Sequence, residues 1–314
     1  KCDVNRIIIE GKTYPFGGAC DRYYNQLREK KPIDVDELDL VSIREELVFN
    51  KYAYDLKDYP YPSNGKKVGI NRSLLTNTFF PLYYGFFSYL GYTVITDTRV
   101  DQDGIDRKGS AFCYPAEVSH GALESLLKQD PDILFMPNVK SIYLENATGV
   151  CVTCPIVHAE AHYLQSAFNE LDEKQVFNPV LDFAEGYESQ ESIFLEVGKS
   201  LGFSASAAKK AFRSALKVMK EMFREFKSLG RSAVAALEAS PGEIGIVLFG
   251  RPYNALSKMG NKGIPHKFAS RGYRTIPCDF LDFEYQDDPE HVYWGAGEII
   301  IKAAKLVSSH PSLY

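Results

Sequence analysis

"KVGINRSLLTNTFFPLYYGFFSYLGYTVIT" (Lys67–Thr96) decides the fold. From Ser73 onward it carries no charged residue and is long enough to span a bilayer. Asn77, Pro81, Gly85 and Gly91 interrupt that apolar run, however, and Gly91-Tyr92 before "TVIT" reads as a helix ending and a strand beginning. The stretch is therefore read as the strand "KVGI", a buried helix over Leu74–Leu90 and the strand "YTVIT": one β-α-β unit and not a membrane span.

The same alternation continues downstream. A helix is predicted over Pro115–Lys128, a strand at "DILFMP", a helix over Pro155–Leu171 and a strand at "VFNPVLDF". Short apolar strands alternating with helices indicate a parallel sheet covered on both faces. Ser204 then caps an amphipathic segment whose apolar residues Ala208, Phe212, Ala215, Met219, Met222, Phe226 and Leu229 follow helical spacing. Gly230 is where this helix is expected to divide, and "ASPGE" (Ala239–Glu243) ends it. A second α/β unit follows: "IGIVLFG" strand, "RPYN" loop, Ile264–Ser270 helix, "YRTIP" strand and Gly295–Val307 helix. Another strand is expected after "SSHPSLY". Upstream, "VNRIIIEG" and "KTYPFG" predict a hairpin turning at Gly11, and Gln26–Pro62 reads as a helix and an irregular connector. The expected organisation is an N-terminal hairpin unit and connector (1–62), a first α/β domain (63–203), a connecting helical segment (204–239) and a second, truncated α/β domain (240–314).

Composition narrows the function classes. With 314 residues, 45% hydrophobic and 25% charged, the chain is globular and large enough for two domains. A net charge of −5 lacks the basic footprint of a nucleic-acid binder, so protein or small-molecule partners are expected, with neither nucleic acid nor membrane. Six cysteines are too few for a disulfide scaffold, and without a signal peptide they indicate reduced thiols in the cytoplasm. Because the first residue is Lys, the sequence reads as part of a longer product.

Two of those cysteines stand just before a proline at a predicted helix start, in "FCYPAE" (Phe112–Glu117) and "CVTCPIVHAE" (Cys151–Glu160). Proline favours the first helical position, which puts Cys154 at an N-cap and Cys113 one residue further out. Both fall beyond the carboxyl ends of strands, where open α/β sheets bind ligands. Helix N-termini favour negative charge, and thiolate is the form that ligates metal. A redox Cys-x-x-Cys at Cys151–Cys154, a structural zinc site, an iron–sulfur cluster and inert buried thiols all remain open on spacing alone.

Taken in order, "KCDVNRIIIEGKTYPFGGACDRYYN", "KVGINRSLLTNTFFPLYYGFFSYLGYTVI", "FCYPAEVSHG", "DILFMPNV", "CVTCPIV" and "VLFGRPYN…GIPHKFASRGYRTIPCDFL" resemble 2-hydroxyacyl-CoA dehydratase activase-related proteins. The cluster-binding part of that family is similar to 2-hydroxyacyl-CoA dehydratase and benzoyl-CoA reductase subunits and to double-cubane-cluster proteins. The resemblance covers nearly the whole chain. It implies two flavodoxin-like (Rossmann-like) parallel-sheet units holding an oxygen-sensitive iron–sulfur cluster between them. Cys113 and Cys154 match the family pattern best, with Cys151 as an extra ligand and Cys2 and Cys20 either in an N-terminal metal knot or merely packing. Cys278 stands where the pattern requires no cysteine. The family pattern also has a cysteine just before the position of Cys2 and a Cys-Gly-Pro-Asp segment on the strand expected after Tyr314, and neither falls within these residues.

The implied role is an iron–sulfur component of an ATP-driven low-potential electron-transfer system. An activase-type ATPase would be its partner, and the resemblance leaves room for a homodimer and for a small-molecule or acyl-CoA substrate. The chain has no Walker A sequence, so ATP use belongs to another domain or protein. Arg251 and Tyr253 of "GRPYN" lie past a strand end, where Arg can hold a phosphate or carboxylate or form a loop salt bridge. His120 reads as a buried structural group or an aid to a ligand. His158 and His162 have the i, i+4 spacing of a metal pair without an HExxH pattern. A non-catalytic, zinc-stabilised, protein-binding scaffold is the alternative.

Overall fold

The computed structural model describes residues 5–9, 11–16, 34–53, 61–97, 99–110, 113–147, 149–289 and 291–314. β1 (Asn5–Ile9) and β2 (Lys12–Phe16) form an antiparallel hairpin, with Gly11 at its turn in the left-handed region at φ +75°. α1 (Val35–Leu38) and α2 (Leu40–Glu46) follow, each capped by an aspartate side chain, Asp34 and Asp39. A π-helical turn at Leu47–Lys51 prolongs α2.

The first α/β unit begins as expected with β3 (Lys67–Ile70), α3 (Thr76–Tyr89) and β4 (Thr93–Thr96). Gly91, at φ +83°, turns the chain out of α3, and a Cβ there would lie 2.4 Å from the Pro62 carbonyl oxygen. Then come α4 (Gln102–Asp106), α5 (Tyr114–Leu127), β5 (Ile133–Phe135) and β6 (Asn138–Ser141). α6 (Pro155–His158), α7 (Glu160–Ala167), β7 (Gln175–Phe177) and β8 (Val180–Asp182) complete the unit.

Three sequence expectations need correction here. The helix expected over Pro155–Leu171 breaks at Ala159 and ends in a 3-10 turn at Asn169–Glu173. "DILFMP" is a strand only to Phe135, with a new strand starting after Pro137, and "VFNPVLDF" is split at Pro179; neither proline has an N–H to give the ladder. Met136 N–H to the Phe177 carbonyl and Asn138 N–H to the Pro179 carbonyl carry the pairing across both breaks.

The main sheet is parallel, in the order β4-β3-β5-β7, and β6 pairs with β8 beside it. With the first strand between the second and third, this is a flavodoxin-like order. α8 (Glu191–Ser200), which the sequence reading did not anticipate, leads into α9 (Ala205–Glu238), capped by the Ser204 side chain. α9 does not divide at Gly230. It runs unbroken for 34 residues, about 51 Å at 1.5 Å per residue. Gly230 is instead where the Phe280 backbone crosses it, its carbonyl oxygen 2.1 Å from where a Cβ would stand.

The second α/β unit comprises β9 (Gly245–Leu248), α10 (Lys258–Asn261), α11 (Ile264–Ala269), β10 (Arg274–Pro277) and α12 (Gly295–Ser308). β9 and β10 are parallel, and Ser312–Tyr314 pair along the other side of β9 through an isolated bridge at Leu313. One hydrophobic core runs from Val68 and Phe86 through Phe212, Met219 and Phe226 to Ile276 and Phe280. A smaller one, with Leu123, Leu134, Leu164 and Phe168, lies under α5 and α7. Together these elements make an α/β fold in which α9 serves both units. No helix among the described residues is long and apolar enough to cross a membrane.

Arg44 of α2 ties the units together. Pro81 inside α3 has no N–H for the Asn77 carbonyl, and Arg44 Nη1 donates to that oxygen at 3.0 Å. Arg44 Nε donates to Asp279 Oδ2 at 2.8 Å, and the guanidinium lies 5.2 Å from the Phe226 ring centroid.

Candidate functional site

Both Cys-Pro segments open helices at the carboxyl edge of the first unit. Cys154 is the N-cap of α6 with Pro155 at N1, as expected. Cys113 is itself the N-cap of α5, since the helix starts at Tyr114 with Pro115 in its second position. Neither side chain caps its helix, which leaves both sulfurs free for other work. Cys113 is exposed and Cys154 half-buried.

Charge at these two cysteines is felt by the same pair of tyrosines. Tyr163 of α7 is pushed above the usual phenol range by burial first, then by the Glu160 charge, and further by charge at Cys113 and Cys154. Tyr253, in the loop after β9, is pushed up to about 12 by burial; the Arg251 cation opposes this and charge at Cys154 and Cys113 reinforces it. Both hydroxyls thus stand within electrostatic range of both cysteines. Tyr163 Oη lies 2.9 Å from Ser119 Oγ, and its ring stacks on His120 with centroids 5.3 Å apart.

Beside this group a cleft of about 600 Å³ opens between the two units. Cys154, Arg251 and Tyr253 line it, with an aromatic wall that includes Tyr187, Phe223 and Trp294. A second cavity of about 320 Å³ lies over the ends of β3 and β4, lined by Arg72, Ser73, Asp97, Arg99 and Lys258. Tyr253 borders both spaces.

The remaining candidates are placed differently. Cys151 is buried, its Sγ donating to Glu298 Oε2 at 3.5 Å. Burial, then the Glu298 carboxylate, pushes its thiol up to about 12, so it is held as a thiol. Lys302, also buried, binds Glu298 at 3.0 Å and Asp288 at 2.5 Å behind it. Cys278 is buried too and pushed up to about 12, chiefly by burial and then by Asp279. Cys2 and Cys20 lie outside the described residues.

His120 is buried, with Nδ1 2.7 Å from the Ala116 carbonyl of its own helix, and burial lowers its basicity. The break at Ala159 puts His158 and His162 on different helices, with His158 Nε2 2.7 Å from the Lys140 carbonyl oxygen. Among the described residues no group of three or more His, Cys, Asp or Glu side chains is placed to hold a metal ion.

Two buried carboxyls escaped the sequence reading. Asp97 accepts from the Arg72 backbone N–H at 2.6 Å and is raised to about 6, burial outweighing the Arg72 contacts. Glu160 is bound by the Ser73 hydroxyl and, at 3.4 Å, by Asn71 Nδ2. Burial raises it to about 7 against those two bonds, and Asp97 adds to the rise. A signal for Asp97 was present in a carboxylate directly after the strand "TVIT"; Glu160 had no comparable signal.

A stability difference follows from Glu160. An unfolded glutamate titrates near ~4.3, so between there and about 7 the folded state binds the extra proton. Its stabilising contribution is full below the unfolded value and is lost as pH rises through 7. Glu160→Gln should gain roughly 3 kcal/mol over the wild type between pH 4 and pH 8, read from urea midpoints. A difference that does not change with pH would show that Glu160 titrates normally.

Residues 67–281, more than half of the chain, match the family described as the CoA enzyme activase uncharacterised domain. No curated protein and no solved structure matches the chain.

Proposed function

The chain belongs to the family of the CoA enzyme activase uncharacterised domain, and on that premise we propose that it is the component that holds an iron–sulfur cluster and receives electrons from an activase-type ATPase. One observation carries the reading: Cys113 and Cys154, far apart in sequence, both stand at helix N-termini within electrostatic range of the same two tyrosines, and Cys154 and Tyr253 line one cleft. Their donor chemistry fits a thiolate-ligated group. Cys151 does not fit equally well, because its proton is held by burial and Glu298. Cys2 and Cys20 are the cysteines left to complete the ligand set.

When bound, such a cluster supplies single electrons at low potential. Around it, Tyr163 and Tyr253 present neutral hydroxyls, Arg251 offers a cation to an anionic group, and the aromatic wall of the cleft keeps water from a seated substrate. A small molecule with an apolar body and an anionic end, an acyl-CoA among them, suits that lining.

Anaerobic reconstitution with iron and sulfide tests the reading. Wild type should bind both in fixed proportion, while Cys113→Ser and Cys154→Ser should each lose most of the iron, a hydroxyl being a poor substitute for a soft thiolate. Both variants should keep the wild-type circular dichroism, because serine is well accepted at an N-cap. Full iron in both variants, or zinc in place of iron in the wild type, would overturn the assignment.

A further inference from the structure

The smaller cavity has no part in the proposed electron transfer, yet its wall carries more positive than negative charge. It opens over the ends of the adjacent parallel strands β3 and β4, at the edge where open α/β sheets take up ligands. The loop after β3, the end of β4, the start of α5 and Ser257–Met259 of the second unit enclose it. Glu45 and Asp97 line it on the acidic side, Arg72, Arg99 and Lys258 on the basic side.

Both acids are engaged. One Glu45 oxygen takes the Arg72 guanidinium, and the other takes the Lys258 backbone N–H at 2.7 Å. Asp97 accepts the Arg72 backbone N–H at 2.6 Å. The Arg99 guanidinium has only Asp101, at 3.4 Å, and that carboxylate already holds Lys128 at 2.8 Å. No acid among the described residues pairs with the Lys258 ammonium. Arg99 and Lys258 are therefore left facing the cavity with a weak partner or none.

The main chain adds donors. Ser73, Leu74 and Leu75 are buried, and their three consecutive N–H groups meet no acceptor among the described residues. They lead into α3, which has no side-chain N-cap and no acidic residue in its first turn. Buried N–H groups without a partner are rare, and free ones ahead of a helix favour an anion. Ser73 and Leu74 belong to the cavity wall.

Cations and unpaired main-chain donors thus converge on one space, and together they suit an acceptor with more oxygens than a carboxylate has. A phosphate monoester offers three. We propose that this cavity binds the phosphate group of a small molecule, held by Lys258, Arg99 and the N–H groups ahead of α3. Inorganic phosphate and a phosphate monoester share that chemistry, and about 320 Å³, near the lower end for ligand pockets, admits either. The site goes beyond the cluster reading and does not depend on it, since no cysteine lines the cavity. Tyr253 borders both spaces, so a phosphate bound here lies one side chain away from the cleft.

The metal-free chain is sufficient for the test. In titration calorimetry at low, matched ionic strength, inorganic phosphate and glycerol phosphate should both bind at one site and acetate should not. Tighter binding of glycerol phosphate identifies a monoester as the ligand, and tighter binding of inorganic phosphate identifies the free ion. Lys258→Gln and Arg99→Gln, both changes of exposed side chains, should each weaken phosphate by about tenfold or more, the worth of a hydrogen bond to a charged group. Lys267→Gln removes an exposed lysine outside the cavity and should bind as the wild type does. In amide spectra, phosphate should move the Ser73, Leu74 and Leu75 N–H resonances downfield, while chloride at the same ionic strength leaves them in place. Phosphate that leaves those three amides unmoved, or binds both cavity variants as tightly as the wild type, would overturn the site. Acetate binding as tightly as phosphate would overturn the ligand class.

Discussion

Arg44→Met is expected to cost about 3–5 kcal/mol, the usual range for removing one partner of a buried ion pair. The side chain is 1% exposed and makes four contacts, to Asp279, to the Asn77 carbonyl left open by Pro81, to the Thr78 hydroxyl and to the Phe226 ring. Methionine fills much of the volume but leaves the carbonyl without a donor and Asp279 without its cation. Asp279 already has one buried oxygen without a partner, so little compensation is at hand. Urea unfolding should show a lower midpoint, and Arg44→Lys should recover only part of it, because an ammonium cannot fork between Asp279 and Asn77. Combining Arg44→Met with Asp279→Asn should cost less than the two changes separately. A loss below about 1 kcal/mol for Arg44→Met would show that the inter-unit tie is weak.

Gly230→Val should cost about 3 kcal/mol, at the upper end for overpacking. In an exposed helix interior, replacing glycine by alanine gains roughly 1 kcal/mol. Here the sign reverses even for alanine, since the new Cβ would fall 2.1 Å from the Phe280 oxygen and 2.7 Å from its carbon. Those are backbone atoms and cannot rotate away. Ser228→Ala, at an exposed position of the same helix, is the control and should be neutral or slightly stabilising. If Gly230→Ala raises the unfolding midpoint as Ser228→Ala does, the close crossing of α9 and the Phe280 turn is wrong.

The alternation that begins at Lys67 was legible because each strand is short, apolar and followed by a helix with its own stop signal, Gly91 being the clearest. The stripe of α9 was legible for the same reason. Two details were not, because they depend on partners distant in sequence. Gly230 looks like a break until the Phe280 carbonyl is laid against it, and α8 is recognised by packing against α9 more than by its own spacing. In the site, Cys113 and Cys154 could be placed at helix starts from their prolines alone. Their shared electrostatic range with Tyr163 and Tyr253 required the folded chain, and so did Glu160, which sits in "HAE" with nothing to mark it as the buried end of a polar cluster.

α9 also imposes an order on synthesis. Its first half packs against α3 of a unit already made, whereas Phe226, Gly230 and Ala233 await Phe280 and Phe283, which leave the ribosome later. At about 5–20 residues per second, that apolar stripe stays uncovered for roughly 2–9 s in every newly made chain. During this interval the nascent protein is a half-built body with a sticky rod attached, and transiently uncovered apolar surface of this kind is prone to aggregation.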